Sequence, residues 1–423
     1  MRVLVVGGGG REHAIVRALK RSPQQPEVLV APGNPGIAED ARTFPDIGVD
    51  DVGALADLAE REDVDLTVVG PEAPLVAGLV DELQSRGRAA FGPTRAAARL
   101  EGSKAFAKEV MEAAGVPTAA WTPVDDIDAG MAAIDRYPVV LKFDGLAAGK
   151  GVVIAEDEPS AHLALHDFLV EQRFGPGSVV VEEPLDGEEL SVLALCDGES
   201  ALVMAPARDY KRIFEGDKGP NTGGMGSYSP VAGVDEAMLE AIARTVHQPV
   251  VDELRHRGTP FHGILYAGLM LTAEGPRVLE FNARFGDPET QAVLPRLRSD
   301  LLELLQRAAT PEGLRGAELE WDPQWAVSVV LASAGYPAGA SSGDRIEGLE
   351  AAARAGVEVT YAGAARTPDG AIVTAGGRVL NVTGLGDGPD AARHAAYAAA
   401  DLITFEGRQL RRDIALRAVE RIG

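Results

Sequence analysis

Strand and helix signals alternate along the first hundred residues, and this alternation constrains the fold more than any other feature of the chain. The short apolar runs RVLVVG, EVLVAP and LTVVGP each end in Gly or Pro, and AFGP gives a fourth run. Helical patterns lie between them, for example over residues 11–21 and 52–62. Parallel strands need long crossover connections, which are usually helices. The pattern therefore predicts an N-terminal α/β domain built on a parallel sheet.

The following segment predicts a smaller α+β lobe. The run SKAFAKEVMEAAGV begins with a good N-cap residue and indicates a helix. PVVLKFDGLAAGKGVVIA then gives a strand, a Gly-rich loop and a strand, and SAHLALHDFLVEQ and SVVVEEPL add a helix and a strand. The lobe spans about residues 120–190.

The remainder of the chain predicts antiparallel strands and long helices. ELSVLALCDG and SALVMAPARDY indicate an antiparallel pair, followed by a Gly- and Pro-rich loop over residues 211–230. Helices are expected over residues 235–257 and 288–308, with the strands GILYAGLMLT and RVLEFNA between them. The strands AVSVVLAS, VEVTYAGAA and RVLNVTGLG, and a helix from Pro389, predict a last domain rich in β structure.

Charge and composition exclude some function classes. The 423 residues carry a formal net charge of −24, and a nucleic-acid partner would require a basic face. We find no apolar run of eighteen residues and no signal peptide, so neither a membrane span nor a membrane partner is expected. The single cysteine, Cys196, cannot form an internal disulfide and is typical of a cytoplasmic protein.

The lysines indicate where an anionic small molecule could bind. The chain has seven lysines against thirty-three arginines, and six of the seven occur as three close pairs. The pairs are Lys104 with Lys108, Lys142 with Lys150, and Lys211 with Lys218. Lysine carries a compact ammonium on a flexible stem and arginine carries a rigid guanidinium fork, so the two bind phosphate differently. Chance clustering also gives such pairs.

Two glycine-rich segments are candidates for phosphate binding. VVGGGGREHA follows a strand and opens a helix, which favours an anion at the helix N-terminus, but His13 stands where a dinucleotide fingerprint has its third glycine. A tight strand-to-helix turn explains the same pattern. LKFDGLAAGKGVVIA places Lys142 and Lys150 around a flexible loop that could fold over a triphosphate. It lacks the Lys-Ser or Lys-Thr pair of a P-loop.

The stretch VLEFNARFGDPETQ carries the most specific chemical signal. Side chains alternate along a strand, so Glu280, Asn282 and Arg284 project from one face while Phe281 and Ala283 face a core. A carboxylate beside an amide oxygen suits Mg²⁺, and an adjacent arginine suits a phosphoryl group. A surface ion pair is the alternative, but the apolar flank argues against it.

Taken together, these motifs resemble the ATP-grasp ligases, and within them the phosphoribosylamine–glycine ligase family. The resemblance extends along the whole chain through GGGGREHA, GPEAPL, SKAFAK, GLAAGKGV, GPNTGGMGSYSP and EFNARFGDPETQ. It implies a multidomain α/β and α+β fold with a parallel-sheet N-terminal domain, an ATP-grasp core with a small lid lobe, and a β-rich C-terminal domain. The expected domains are residues 1–102 for the N-terminal domain, 103–122 and 191–323 for the core, 123–190 for the lid lobe and 324–423 for the C-terminal domain.

The resemblance also implies a reaction in de novo purine synthesis. ATP would phosphorylate glycine to glycyl phosphate, and the amine of 5-phosphoribosylamine would displace the phosphate to give glycinamide ribonucleotide. The metal would be Mg²⁺ or Mn²⁺, and the chain would be a monomer or a weak homodimer. Phosphoryl transfer needs positioning and charge neutralisation more than covalent chemistry, which agrees with the absence of an evident nucleophile motif.

The family's functional residues are carried over by position. Contacts to ATP are expected from Lys104, Lys142, Lys150, Glu182, Glu183, Leu185 and Glu189. The metal ligands would be Glu280 and Asn282, and the catalytic residues would be Arg284, Lys142 and Asp287. Many ATP-grasp enzymes carry a further metal-binding Glu on the preceding strand, but ILYAGLMLT contains no acid, so the ligands of a second metal stay open. The substrate-binding residues would be Gly9, Gly10, Asp209, Asn221, Gly223, Gly224, Arg284, Asp287 and Arg378.

Two other function classes are compatible with the fold that the resemblance implies. Another ATP-grasp enzyme, such as a carboxylase acting on biotin or an aminoimidazole ribotide, would carry a different sequence after Glu-x-Asn than RFGDPETQ. A non-catalytic nucleotide sensor would be expected to lack Lys142, Glu280 or Arg284, all of which are present.

Overall fold

The computed structural model describes residues 1–147 and 149–422. Its N-terminal part is the predicted parallel α/β domain. The strands are β1 (Arg2–Gly7), β2 (Glu27–Pro32), β3 (Arg42–Thr43), β4 (Leu66–Val69) and β5 (Ala90–Phe91). The helices are α1 (Gly10–Lys20), α2 (Ile37–Asp40), α3 (Val52–Arg61), α4 (Glu72–Ala77), α5 (Leu79–Ser85) and α6 (Arg95–Gly102). The strands pair in parallel in the order β3-β2-β1-β4-β5, so the loops after β1 and β4 meet at one edge of the sheet.

Helix α7 (Lys104–Ala113) leads from this domain into the lid lobe. Its N-cap is Ser103, whose side chain accepts a hydrogen bond from the backbone of Phe106, as the sequence predicts. The lobe contains β6 (Trp121–Val124), α8 (Ile127–Ala132), β7 (Val139–Phe143), β8 (Val152–Ala155), α9 (Glu158–Leu169) and β9 (Val179–Glu182). The strands form an antiparallel sheet in the order β6-β9-β7-β8, and both helices pack on its apolar face.

The central part of the chain is built on a second antiparallel sheet. This part of the chain begins with β10 (Glu188–Asp197) and β11 (Ala201–Val203) and continues with β12 (Arg208–Asp209), β13 (Arg212–Phe214), β14 (Lys218–Asn221) and β15 (Gly226–Ser229). The remaining elements are α10 (Glu236–Ile242), a π-helical turn (Ala243–His247), α11 (Gln248–His256), β16 (His262–Thr272), β17 (Gly275–Asn282), α12 (Glu289–Val293), a 3-10 turn (Leu294–Arg296) and α13 (Leu301–Ala308). The sheet order is β11-β10-β16-β17.

Three predictions for this region were wrong in detail. The run from Ser200 to Tyr210 is not one strand, because β11 ends at Val203 and β12 joins a different sheet. The predicted loop over residues 211–230 contains the β13–β14 hairpin and β15, whose Gly and Pro residues conceal the strands. The helix predicted over residues 288–308 is interrupted after the 3-10 turn, and Asp300 caps a new helix by accepting a hydrogen bond from Leu302.

The C-terminal part shares its sheet with the central part. Its elements are β18 (Trp325–Ala332), α14 (Leu349–Arg354), β19 (Glu358–Tyr361), β20 (Ala364–Arg366), β21 (Ile372–Thr374), β22 (Arg378–Gly386), α15 (Pro389–Ala400) and α16 (Leu416–Ile422). The sheet order is β12-β15-β18-β22-β19, so two strands from residues 208–229 extend it. One continuous hydrophobic core therefore runs beneath both regions. None of the described helices is both long and apolar enough to cross a bilayer.

Candidate active site

A cavity of about 700 Å³ lies where the lid lobe, the central sheet, the N-terminal domain and the C-terminal part meet. Fourteen of the residues predicted from the sequence line it. They are Lys104, Lys142, Glu182, Glu183, Leu185, Glu189, Asp209, Asn221, Gly223, Glu280, Asn282, Arg284, Asp287 and Arg378. The cavity is thus assembled from segments that are up to 406 residues apart in the chain, which is the separation of Arg11 and Arg417.

The end of β17 provides the polar floor of the cavity. Glu280, Asn282 and Arg284 all line it, while Phe281 and Ala283 are buried in the core on the opposite face. This is the alternation that the sequence predicts. A β-bulge at Leu279 interrupts the register with β16 just before Glu280. The carbonyl oxygen of Leu279 consequently accepts a hydrogen bond from Lys142 Nζ at 2.8 Å.

Glu280 is an ionised carboxylate surrounded by lysines. Its two oxygens lie 3.9 Å from Lys104 Nζ and 3.8 Å from Lys211 Nζ, too far for hydrogen bonds. Burial acts to raise the pKa of Glu280, but Lys211, Lys104 and Lys142 lower it to about 2. The carboxylate is therefore charged at neutral pH and keeps room for a further cationic partner.

Arg284 is held between two carboxylates of the N-terminal region. Its Nη2 lies 3.0 Å from Glu101 and its Nε lies 3.2 Å from Glu72. Burial acts to lower the pKa of Arg284, but Glu101 and Glu72 outweigh it and raise that pKa. Glu101 also accepts a hydrogen bond from the backbone of Ala283 at 2.7 Å. These contacts fix the guanidinium at the junction between the N-terminal domain and β17.

Two lysines share one carboxylate oxygen beneath the lid lobe. Lys142 Nζ and Lys108 Nζ each lie 2.9 Å from Glu182 Oε2. Glu182 is 3% exposed, and its other oxygen, Oε1, has no hydrogen-bond partner among the described residues. The lid lobe is thereby connected to α7 through a buried ion triplet.

A second group of charges lies beside Glu280. Lys211 Nζ lies 2.8 Å from Glu189, and Asp209 is close to both residues. Burial raises the pKa of Asp209 well above its ordinary value although Lys211 opposes the shift, and the nearby Glu289 carboxylate adds to it. Burial thus favours the protonated form of Asp209.

The loop after β17 meets the N-terminal glycines and the C-terminal part. Asp287 pairs with Arg378 at 3.0 Å and accepts a hydrogen bond from Gln291 at 2.8 Å. A side chain added at Gly9 would come within 3.8 Å of Asp287, and one at Gly10 would collide with Gln291 and Asn381. Arg378 also donates to the carbonyl oxygens of Gly223 and Asp287.

Four of the predicted site residues lie outside the cavity lining, namely Lys150, Gly9, Gly10 and Gly224. Lys150 is exposed on the loop between β7 and β8, where Ala148 lies outside the described residues. Gly9 and Gly10 open α1 beside Asp287, behind the lining. Gly224 packs against Pro288 with a positive φ of 108°, which makes it a backbone support for the loop.

Several residues that line the cavity were not predicted from the sequence. Arg11, Glu72, Glu101, Tyr266 and Glu289 line the cavity although no role was predicted for them. Tyr266 donates to Glu289 at 2.9 Å. Glu72 lies in the GPEAPL motif and Glu289 in RFGDPETQ, so both motifs contained a signal. No local motif indicated a role for Glu101, because its partners Ala283 and Arg284 lie 182 and 183 positions further along the chain.

The donor set at β17 fits a hard divalent cation. Glu280 supplies an ionised oxygen, and Asn282 supplies an amide group 9% exposed in the same lining. The described residues contain no cluster of three or more His, Cys, Asp or Glu side chains suited to a metal. Two protein oxygens are nevertheless sufficient for Mg²⁺, which commonly takes its remaining ligands from nucleotide phosphates and water.

Comparison with known proteins identifies the family to which the chain belongs. Three domains of phosphoribosylglycinamide synthetase match successive parts of the chain: the N domain over residues 1–101, the ATP-grasp (A) domain over 102–290 and the C domain over 326–417. The chain belongs to the phosphoribosylamine–glycine ligase family. It is therefore an ATP-grasp ligase, as the resemblance implied.

Individual relatives support this assignment over the full length. A phosphoribosylamine–glycine ligase of Ralstonia nicotianae is 47% identical over 426 residues, covering 100% of both chains. The crystal structure of the phosphoribosylamine–glycine ligase of Thermotoga maritima is 34% identical with a TM-score of 0.83, covering 98% of this chain and 100% of that one. An N5-carboxyaminoimidazole ribonucleotide synthetase of the same organism shares only the fold, at 18% identity and a TM-score of 0.64, covering 96% of this chain and 99% of that one.

Proposed function

We propose that this cavity is where the chain performs the reaction of its family, the ATP-dependent ligation of glycine to 5-phosphoribosylamine. The observation that carries the proposal is the end of β17, which presents Glu280, Asn282 and Arg284 together to the lid lobe and to the N-terminal domain. Glycine would be activated as glycyl phosphate, and the amine would then displace phosphate to give glycinamide ribonucleotide.

ATP would bind between the lid lobe and the central sheet. Glu183 and Leu185 would face the adenine ring, and the unpartnered Oε1 of Glu182 would accept from a donor in the same region. Glu189 would accept from the ribose. Lys104, Lys142 and Lys150 would neutralise the phosphates, and Lys150 would have to approach with its loop because its side chain is exposed.

Glu280 and Asn282 would hold Mg²⁺ or Mn²⁺, which would neutralise charge on the nucleotide phosphates. The depressed pKa of Glu280 keeps its carboxylate charged, and its oxygens lie 3.9 Å from Lys104 Nζ and 3.8 Å from Lys211 Nζ, which supports this role. Arg284 would stabilise the transferring phosphoryl group, since its guanidinium is already oriented by Glu72 and Glu101.

The two acceptor substrates would occupy the side of the cavity away from the lid. Asp209, Asn221, Gly223 and Gly224 would shape the glycine pocket. Asp287 would contact the amine, and Gly9, Gly10 and Arg378 would bind phosphoribosylamine through its phosphate. The proximity of Gly9 and Arg378 to Asp287 supports this grouping. We further infer a cytoplasmic location, because the one cysteine is buried and reduced. A monomer or weak homodimer remains what the family resemblance implies.

Substrate-dependent ADP release tests the proposal. ADP should form only when glycine and phosphoribosylamine are both supplied with ATP and Mg²⁺. ADP release driven by bicarbonate without glycine would instead support a carboxylase reaction. Omitting each substrate in turn provides the matched controls.

A further inference from the structure

Lys108 is a buried cation for which the proposed reaction has no direct use. Its side chain is 2% exposed and lies on α7, one turn after Lys104, outside the cavity lining. The ammonium lies 2.9 Å from Glu182 Oε2 and donates to Thr118 Oγ1 at 2.8 Å. Burying an ammonium is costly even when it is paired, so packing alone does not explain its presence.

The geometry places Lys108 and Lys142 in competition for the same acceptor. Both ammonium groups contact Glu182 Oε2, and Lys142 additionally donates to the carbonyl oxygen of Leu279. Of the three residues, Lys142 and Glu182 line the cavity and Lys108 does not. Lys108 can therefore influence a bound nucleotide only through its partners.

The same contacts join the lid lobe to the strand that carries Glu280. Glu182 and Lys142 belong to β9 and β7 of the lid, whereas Lys108 belongs to α7. Thr118, which accepts from Lys108, donates to the carbonyl oxygen of Val278 at 2.6 Å. Lys108 is thus tied to Glu182 on one side and to β17 on the other.

We propose that Lys108 is a positioning residue that keeps Glu182 paired while Lys142 turns its ammonium toward the nucleotide phosphates. The inference rests on the proposed contact between Lys142 and ATP. A carboxylate with a single lysine would lose its counter-ion whenever that lysine moved, and an unpaired buried charge is strongly unfavourable. With Lys108 in place, Glu182 stays compensated and Lys142 is free to move.

The protonation state of Lys108 agrees with this role. Burial lowers the pKa of Lys108 to about 8, although Glu182 opposes the shift. The amine is consequently still charged at neutral pH and can serve as a counter-ion.

The first test replaces Lys108 by an uncharged side chain of similar length. Lys108→Met should raise the dissociation constant for ATP by about tenfold or more, because Lys142 is then retained by Glu182. The dissociation constant for adenosine, which has no phosphates, should change by less than about threefold. Met111→Ala is the matched control on the same buried face of α7, and should lower the melting temperature without changing the ratio of the two constants.

The second test removes the carboxylate that the two lysines share. In a Glu182→Gln background no counter-ion is needed, so adding Lys108→Met should change the dissociation constant for ATP by less than about threefold. If Lys108→Met alone does not fold, the double variant is compared with Glu182→Gln alone. The buried site of the double variant holds only the charge of Lys142. An undiminished effect of Lys108→Met in the Glu182→Gln background would overturn the proposal, as would equal losses of ATP and adenosine binding.

Lys142→Met separates this inference from the function on which it rests. If Lys142→Met leaves ATP binding unchanged, the assigned contact of Lys142 with phosphate is wrong and the proposal for Lys108 falls with it. If Lys142→Met weakens ATP binding and Lys108→Met does not, only the positioning role of Lys108 is wrong. Neither binding measurement requires glycine or phosphoribosylamine, so the ligation assay remains an independent result.

Discussion

We expect the chemistry of the site to depend most on Glu280. Glu280→Ala should lower the turnover number by about a hundredfold or more while leaving the fold intact, because it removes the carboxylate that we propose binds the metal. The measurement is ADP release across a range of Mg²⁺ concentrations, with thermal unfolding as a check on folding. Glu274→Gln, in the exposed turn between β16 and β17, is the matched control and should retain turnover. Near-normal activity of Glu280→Ala would remove the metal assignment.

Asp40 illustrates how a single carboxylate links stability to pH. Hydrogen bonds from His13 and Arg17 lower the pKa of Asp40 to about 2. A carboxylate with a depressed pKa in the folded state stabilises it above the ordinary pKa of about 3.8, and that stabilisation is lost as the pH falls toward 2.

Asp40→Asn should therefore lower the melting temperature at pH 7, and the difference from the unmodified chain should shrink as the pH falls from about 4 toward 2. The effect is on the order of 1 kcal/mol, since Asp40 is partly exposed and solvent screens the interaction. Melting curves across this pH range are the measurement, with the exposed Asp50→Asn as the control. A difference that stays constant with pH would contradict the assignment.

The loop between β7 and β8 is the element that we propose closes over the nucleotide. Gly149 lies close enough to the 221–226 segment that an added side chain would meet the carbonyl oxygen of Thr222 at 3.4 Å. Lys150 follows Gly149 in the chain, and its side chain is exposed. The loop thus already reaches across the cavity toward the segment proposed to hold glycine.

Lys150→Ala should raise the KM for ATP by about tenfold, because a cation is lost from the closing loop, and should leave the melting temperature unchanged. Steady-state kinetics with ATP varied at saturating glycine and phosphoribosylamine measure the effect. Lys20→Ala, an exposed lysine on α1, is the control. An unchanged KM and turnover number would show that the loop does not close on phosphate.

At the scale of the whole molecule, local patterns were predictable and distant contacts were not. The alternation around Glu280 and the capping by Ser103 are encoded within a few residues, and the structure has both. By contrast, β3 is only two residues long, and Gly and Pro conceal the β13–β14 hairpin. The contact of Arg284 with Glu101 spans 183 positions, and no local pattern encodes it.

The arrangement of the sheets was likewise only partly predictable from the sequence. The switch from parallel to antiparallel strands was readable in the pattern of apolar runs. The joining of β12 and β15 to the C-terminal sheet was not, because both strands are short and β15 pairs with β18 about a hundred residues further along the chain. The shared sheet and core indicate that the central and C-terminal parts stabilise each other.

The fate of the glycine carboxylate oxygens tests the central claim most directly. If ATP activates glycine as an acyl phosphate, one carboxylate oxygen must leave with the phosphate when the amine attacks. Ligation of glycine labelled with ¹⁸O in both carboxylate positions should therefore give inorganic phosphate carrying one ¹⁸O atom, detected by mass spectrometry or by the isotope shift in ³¹P NMR. Unlabelled phosphate formed together with glycinamide ribonucleotide would contradict the account.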